Sequence, residues 1–459
     1  MMHAATDNEI YRVVSPLTEL EVATVEMASA ADIDEAVARS HIAFQRWRRV
    51  APGERARILR EFARVVDAHV EELALLEVLN AGHTIGNARW EARNVRDVLN
   101  YYAGAPERLI GSQIPVPGGT NVTFHEAMGV VGVIVPWNFP MPLAAWAFAP
   151  ALAAGNAVVL KPAEYTPLTA LRLAELALEA GVPESVFTVL PGRGTIAGQR
   201  LVEHPLVRKV SFTGSTPVGR NIMKACADQV KPVTLELGGK SANIIFDDGD
   251  HELAAASAPM AVFDNAGQDC CARSRILVQK SIYNEFMDNL HGSVQGIRVS
   301  DPRDEAAQMG PMISKLQRER ASRYLEGGSI AFTGSVPDGP GYWMAPTVIV
   351  PGDTTAAVWR EEVFGPVVAV LPFDTEEDAI EMANNTHYGL SGSVFTNNLD
   401  RAFRMARSLE VGTLSINSHS SVRYWTPFGG FKESGLGREL GPDGAKAFTE
   451  EKNVFIAHR

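Results

Sequence analysis

From residue 129 the chain alternates short, continuous apolar runs with amphipathic stretches. That pattern predicts strands buried on both faces, joined by helices. The runs at 130–135, 157–160, 186–190, 207–212 and 233–237 read as strands. Helices are expected over 141–154, 166–180, near 196–201 and over 217–226. Such alternation implies parallel strands with right-handed crossovers, a doubly wound α/β sheet. A second alternating region runs from about 243 to 431, with strands at 243–246, 276–279, 348–350, 367–371, 391–395 and 413–416. Its helices are expected near 252–266, 281–290, 376–384 and 399–409.

Upstream, the apolar spacing is helical. Ser29 and Asp32 form a capping-box pattern ahead of a stripe of Ile33, Ala36, Val37 and Phe44. Pro52 opens a second helix, carrying Ile58, Leu59, Phe62, Val65 and Val66 on one face and ending at Asn80-Ala81-Gly82. A third covers 87–103. Between these helices and the first core strand, Ile110, Ile114, Val116, Val122 and Phe124 stand among Gly and Pro. They predict a hairpin arm reaching outside its domain, toward another subunit. A final strand is expected at 453–457.

Composition narrows the function classes. The 459 residues carry 42 Lys and Arg against 54 Asp and Glu, a net charge of −12 without a basic cluster, which argues against a nucleic-acid partner. Three cysteines form no disulfide framework and point to a reducing compartment, hence the cytoplasm. Met1 to Val13 shows no secretion-signal pattern. The 34 residues over 127–160 hold no charge, but Pro136, Pro140, Pro142 and Pro150 interrupt them. They read as strand, turn, helix and strand in a buried core, and no membrane span is expected.

Ligands of doubly wound sheets bind at the carboxyl ends of the strands. The polar residues there are the candidates. Asn138, flanked by Trp137 and Phe139, is an amide donor in an uncharged stretch, suited to an oxyanion or simply to a turn. Lys161 and Glu164 suit ribose hydroxyls, and a carboxylate there disfavours a 2′-phosphate; they suit a solvated charged loop equally. The loop 213–219 is Gly-x-x-x-x-Gly, neither Gly-x-Gly-x-x-Gly nor a P-loop. It suits a loosely held pyrophosphate at a helix N-terminus, or an ordinary turn. Glu236 closes an apolar strand, where burial tunes a carboxylate as a base, or where it pairs with a Lys at the strand edge. In the polar break 264–273, Cys270 and Cys271 are either small buried residues or an activatable thiol. No Cys/His spacing fits a metal site, and no metal is expected.

The joint order of these pieces resembles the NAD(P)-dependent aldehyde dehydrogenase superfamily over nearly the whole chain. The matching motifs are Pro136-Trp137-Asn138-Phe139-Pro140, Lys161-Pro162-Ala163-Glu164 and Phe212-Thr213-Gly214-Ser215. They continue with Glu236-Leu237-Gly238-Gly239-Lys240, Gly267-Gln268-x-Cys270, Glu362-Val363-Phe364-Gly365-Pro366, and Pro427-Phe428-Gly429-Gly430 with Ser434-Gly435.

The resemblance implies a Rossmann-like cofactor domain over 1–108 and 128–238, a second α/β catalytic domain over 239–432, and a β oligomerisation arm from 109–127 and 446–459. It implies a homo-oligomer, dimer or tetramer. Cys270 would be the nucleophile, Asn138 with the Cys270 N–H the oxyanion donors, and Glu236 the base that activates water. Pro136, Trp137, Lys161, Glu164, Gly214, Ser215, Leu237, Glu362 and Phe364 would contact NAD. Phe139, Trp146, Tyr424, Trp425 and Phe428 match or neighbour the aldehyde tunnel. Asp269 before Cys270 is similar to the aminobutyraldehyde branch and either suits an amine cation beside aromatics or faces away from the tunnel. Arg423, and Phe428 where that branch often has His, leave a semialdehyde or a general aldehyde open. Two further classes compete with a dehydrogenase. One is a non-catalytic NAD-binding relative. The second is an esterase-like thiol hydrolase, which leaves Glu164, Ser215 and Glu362 unexplained.

Overall fold

The computed structural model describes residues 9–420 and 422–458, so part of the N-terminal stretch read for a signal lies outside the described residues. Two parallel-type sheets organise the chain. The first runs Gly435–Leu436, Val233–Glu236, Val207–Thr213, Val130–Ile134, Ala157–Lys161, Phe187–Val189, parallel except at the Gly435–Leu436 edge. The second runs Ser329–Thr333, Thr347–Val350, Val367–Phe373, Arg275–Gln279, Ala242–Ile245, Ser391–Phe395, Thr413–Ile416, parallel except at Ser329–Thr333. Central strands such as Val130–Ile134 and Ala157–Lys161 are buried at every position, which is why they read as unbroken apolar runs.

The uncharged stretch resolves as strand, helix and strand. Its helix, Pro140–Ala153, is buried at all 14 positions between the first sheet and the helices upstream. Among the described residues no helix is long and apolar enough to cross a membrane. Phe62, Phe148 and Phe187 pack ring on ring in this layer. Each such buried aromatic contributes about 2–3 kcal/mol.

A third sheet joins the predicted hairpin to the C-terminus. Thr449–Ala457 pairs antiparallel with Gly119–Ala127, which also pairs with Gln113–Val116. Ile114, Phe124, Phe455 and Ile456 on it are exposed.

Several expectations are corrected. The helix expected from Pro52 to Gly82 is two, Pro52–Ala68 and Val70–Ala81, broken where His69 leaves helical geometry. Both halves are apolar on one side, so periodicity hides the break. The helix expected to reach residue 266 stops at Phe263, because Asn265, Ala266 and Gly267 are all left-handed. The hairpin Ile10–Val14/Glu21–Glu26, helix Lys315–Ser322 and strand Ser329–Thr333 were not anticipated. They are largely exposed and short, and the helix is mostly polar, so no sustained apolar period marks them. Gly435–Leu436, beyond the expected limit of the second domain, extends the first sheet.

Candidate active site

The segment before Cys270 is built by three successive left-handed residues, Asn265 (φ 49°), Ala266 (54°) and Gly267 (70°). Two are not glycine, a costly arrangement that clusters at functional sites. It brings Gly267 against the Glu362–Pro366 loop so closely that a Cβ there would stand 2.2 Å from the Gly365 carbonyl oxygen. We expect Gly267→Ala to lower stability by about 2–3 kcal/mol, from left-handed strain and overpacking. Urea unfolding measures this, and a change under about 0.5 kcal/mol would contradict the packing described.

Gln268 locks the turn. Its Nε2 donates to the Asn265 carbonyl (3.0 Å) and its Oε1 accepts the Ile313 N–H (2.9 Å). The Gln268 carbonyl accepts from Asn138 Nδ2 at 3.0 Å. An amide nitrogen has two hydrogens, so this bond orients Asn138 and leaves its second donor for a ligand. Asn265 Nδ2 in turn donates to the Asn138 carbonyl at 2.7 Å. Asn138 and Cys270 are thus tied through one buried loop.

Two clefts meet at Cys270. One, of about 410 Å³, runs along the carboxyl edge of the first sheet past Trp137, Ser215, Glu236, Glu362 and Phe364. Pro136, Asn138, Gly214 and Leu237 share its wall. The other, of about 620 Å³, is walled by Phe139, Trp146, Asp269 and Phe428. Among the described residues, Cys270 is the one common to both. A further cleft of about 760 Å³ holds Glu164 and shares Ile134, Phe212 and Val218 with the first.

The thiol is not activated by its surroundings alone. The adjacent Cys271 thiol, then burial, then the Asp269 and Glu362 carboxyls hold the Cys270 thiol well above its ordinary range. Asp269 does not face away. Its carboxyl and both sulfurs lie within 4.8 Å of one another, and its Oδ1 accepts the Cys271 N–H at 2.8 Å. Burial raises Asp269, while that N–H and the Arg273 charge oppose the rise.

Glu236 ends its strand 2% exposed, and neither carboxylate oxygen has a protein partner among the described residues. Burial, then the Glu439 carboxyl, raise it well above the carboxylate range. Glu439 went unforeseen because Gly437-Arg438-Glu439-Leu440 carries no recognisable pattern. It accepts from Ser211 Oγ (3.0 Å) and is pushed up to about 7, chiefly by burial.

The remaining expected cofactor contacts divide. Glu362 accepts the Gly239 N–H at 2.8 Å and is raised by burial to about 7. Trp137 and Phe364 meet edge to face with centroids 5.3 Å apart. Ser215 precedes helix Thr216–Ala227 without capping it, leaving the helix N-terminus turned to the cleft. Glu164 accepts the Gly194 N–H at 2.7 Å. Lys161 is more occupied than expected, with Nζ donating to the Pro162 and Gly192 carbonyls at 2.7 and 2.9 Å and not lining the cleft.

Among the tunnel candidates, Phe139, Trp146 and Phe428 line the cleft beyond Cys270; Trp146 and Phe428 pack edge to face at 5.3 Å. Tyr424 and Trp425 do not line it: Tyr424 packs on Tyr101, and Trp425 is 49% exposed. Nor does Arg423, whose Nη1 reaches the Ser420 carbonyl. The structure instead adds Trp90, Leu253, Met260, Asp264 and Arg273 to the wall. Leu253 and Met260, seven apart on helix His251–Phe263, share a face. That face was the available sequence signal. The expectation of no metal rested on chain spacing, which does not show that folding gathers Glu77, His83 and Glu91 within 4.8 Å.

Two α/β sheets with a cysteine where their clefts converge define a covalent-catalysis scaffold of the dehydrogenase type. The chain belongs to the aldehyde dehydrogenase family, whose model matches residues 2–454. It is 41% identical over 456 residues to an aldehyde dehydrogenase of Emericella nidulans, covering 98% of this chain and 92% of that one. It is 42% identical over 452 residues to a betaine aldehyde dehydrogenase of Cereibacter sphaeroides, covering 97% and 93%. The NAD+ complex of a Bacillus cereus aldehyde dehydrogenase superposes with a TM-score of 0.96 at 40% identity, covering 98% and 94%.

Proposed function

We propose that the protein oxidises an aldehyde to a carboxylic acid with NAD, through a covalent thioester on Cys270. The observation that carries this reading is that, among the described residues, Cys270 alone is shared by the sheet-edge cleft and the aromatic cleft. A reaction between two bound molecules requires such a junction. The sheet-edge clefts fit the dinucleotide. Glu164 stands in the outer one, and its neighbouring cation Arg193 is already paired with Glu9, which disfavours a 2′-phosphate and hence NADP.

In the reaction the Cys270 thiolate attacks the aldehyde carbon, forming a C–S bond. The free donor of Asn138 and the Cys270 N–H receive the charge on oxygen. Bound NAD supplies the hydride acceptor that turns this adduct into a thioester. Glu236 takes a proton from water, the water oxygen attacks the thioester carbon, and the C–S bond breaks to release the acid and the thiolate. An esterase-like hydrolase would leave the dinucleotide-shaped clefts without a role.

Asp264 and Asp269 with Trp90, Trp146 and Phe139 suit a substrate bearing an amine or quaternary ammonium group. A betaine aldehyde dehydrogenase among the relatives supports this reading. We expect a cationic aldehyde to exceed its neutral isostere by about tenfold in kcat/KM. Equal values, measured by NADH formation across cationic, neutral and anionic aldehydes, would overturn the substrate class. We assign 1–108 and 128–238 to cofactor binding, 239–432 to catalysis, and 109–127 with 446–459 to an arm that forms a homo-oligomer in the cytoplasm. The exposed apolar side chains on the arm sheet support the last assignment.

A further inference from the structure

Two glutamates occupy core positions on neighbouring helices. Glu77 lies on the buried face of Val70–Ala81, between Ala74 and Ala81. Glu91 lies on the buried face of Ile85–Ala103, between Ala88 and Val95. Gly82, left-handed at φ 75°, ends the first helix, and His83 stands in the short turn before the second. The turn gathers the three side chains, whose ligating atoms all lie within 4.8 Å of one another. Their exposures are 0, 4 and 0%.

Helix packing does not account for this cluster. Ala74, Val78, Ile85 and Ala88, from the same two helices, form an apolar core of their own. Carboxylates in such surroundings are costly unless an opposite charge meets them. Among the described residues, the one ion pair of either glutamate is that of Glu91 Oε1 with His83 Nδ1. Both Glu77 oxygens and Glu91 Oε2 are buried without a partner among the described residues.

The donor set fits a divalent transition metal. Two carboxylates carry two negative charges and a neutral imidazole none, so a divalent ion leaves a neutral group in an apolar interior. Imidazole nitrogen with carboxylate oxygen suits zinc and its neighbours, whereas calcium and magnesium favour oxygen-only shells. Ligand atoms about 2.0–2.2 Å from a tetrahedral ion stand about 3.5 Å from each other, so this cluster needs only a small inward turn of its carboxylates. A carboxylate that ligates through both oxygens closes the fourth position.

We propose that Glu77, His83 and Glu91 form a buried site for a divalent transition metal of the zinc type, which staples the two helices together. The ion takes the place of the proton between His83 Nδ1 and Glu91, and that proton leaves to solvent. None of the three residues lines either cleft that meets at Cys270, so the metal is structural and not a reactant.

The test uses the full-length protein carrying Cys270→Ser and Cys271→Ser, because those thiols with Asp269 are the other gathered set of candidate ligands. The protein is produced in zinc-supplemented medium, so that the ion enters during folding, and is passed through gel filtration. Elemental analysis should find one zinc per chain, and its removal by a chelator should lower Tm by about 3 °C or more. Protein produced with Co²⁺ should show visible d–d bands without the charge-transfer absorption of a thiolate ligand. His83→Lys supplies the cluster with a cation of its own and keeps it folded. It should retain less than about a tenth of the zinc, as should Glu77→Gln, and the chelator should leave the Tm of both unchanged. Absence of zinc together with a Tm that the chelator does not move would overturn the site. Zinc retained equally by His83→Lys would do the same.

Discussion

We expect Cys270→Ser to abolish NADH formation, by at least about a thousandfold in kcat, while NAD still binds. A serine hydroxyl is a far weaker nucleophile at neutral pH, and this site is not arranged to deprotonate it. The groups that bear most on Cys270 are acidic or thiol, namely Cys271, Asp269 and Glu362, and all of them already push the Cys270 proton on rather than off. Cys271→Ser is the matched control. Cys271 is buried and its N–H is spent on Asp269, so its replacement leaves most of the turnover in place. Steady-state NADH production with both variants checks this. Turnover lost with Cys271→Ser and kept with Cys270→Ser would reverse the assignment.

Glu236→Gln separates the two halves of the reaction. Steady turnover should fall by about 10²–10⁴-fold, the usual contribution of a positioned base. A first, stoichiometric burst of NADH persists, because thioester formation precedes the step that needs Glu236. The pH dependence gives the sign. Burial and then Glu439 raise Glu236, so the proton-accepting form is scarce at low pH and grows as pH rises through its elevated pKa. Deacylation should therefore rise with pH in the unaltered protein and lose that rise in the Gln variant. Stopped-flow absorbance resolves both phases, and a vanished burst would move Glu236 to the step before hydride transfer.

The parts legible in the sequence are those whose signal is local. Buried parallel strands such as Val130–Ile134 announce themselves as unbroken apolar runs. Asn138, Glu236 and Glu362 were found because each sits in a short motif whose order along the chain matches a family. The parts that escaped depend on folding. Glu439 reaches the neighbourhood of Glu236 through long-range pairing, Gly435–Leu436 against Leu235 and Glu236 and Glu439–Leu440 against Pro427–Phe428. Trp90 and Met260 come from two helices far apart in sequence, yet both line the cleft beyond Cys270. Tyr424 and Trp425 show the opposite error, since nearness in sequence to a tunnel position did not place them on the tunnel wall. Asp269 is the residue whose reading the structure sharpened most. The sequence left open whether it faces away, and the fold sets its carboxyl beside both sulfurs on the wall of the aromatic cleft.

Trapping the covalent intermediate tests the central claim most directly. The Glu236→Gln protein is mixed with NAD and an aldehyde, quenched in acid within the burst, digested and read by mass spectrometry. We predict one acyl group per chain on Cys270, adding the mass of the aldehyde less two hydrogens. The same adduct on Cys271, or no adduct while NADH is formed, would contradict the account.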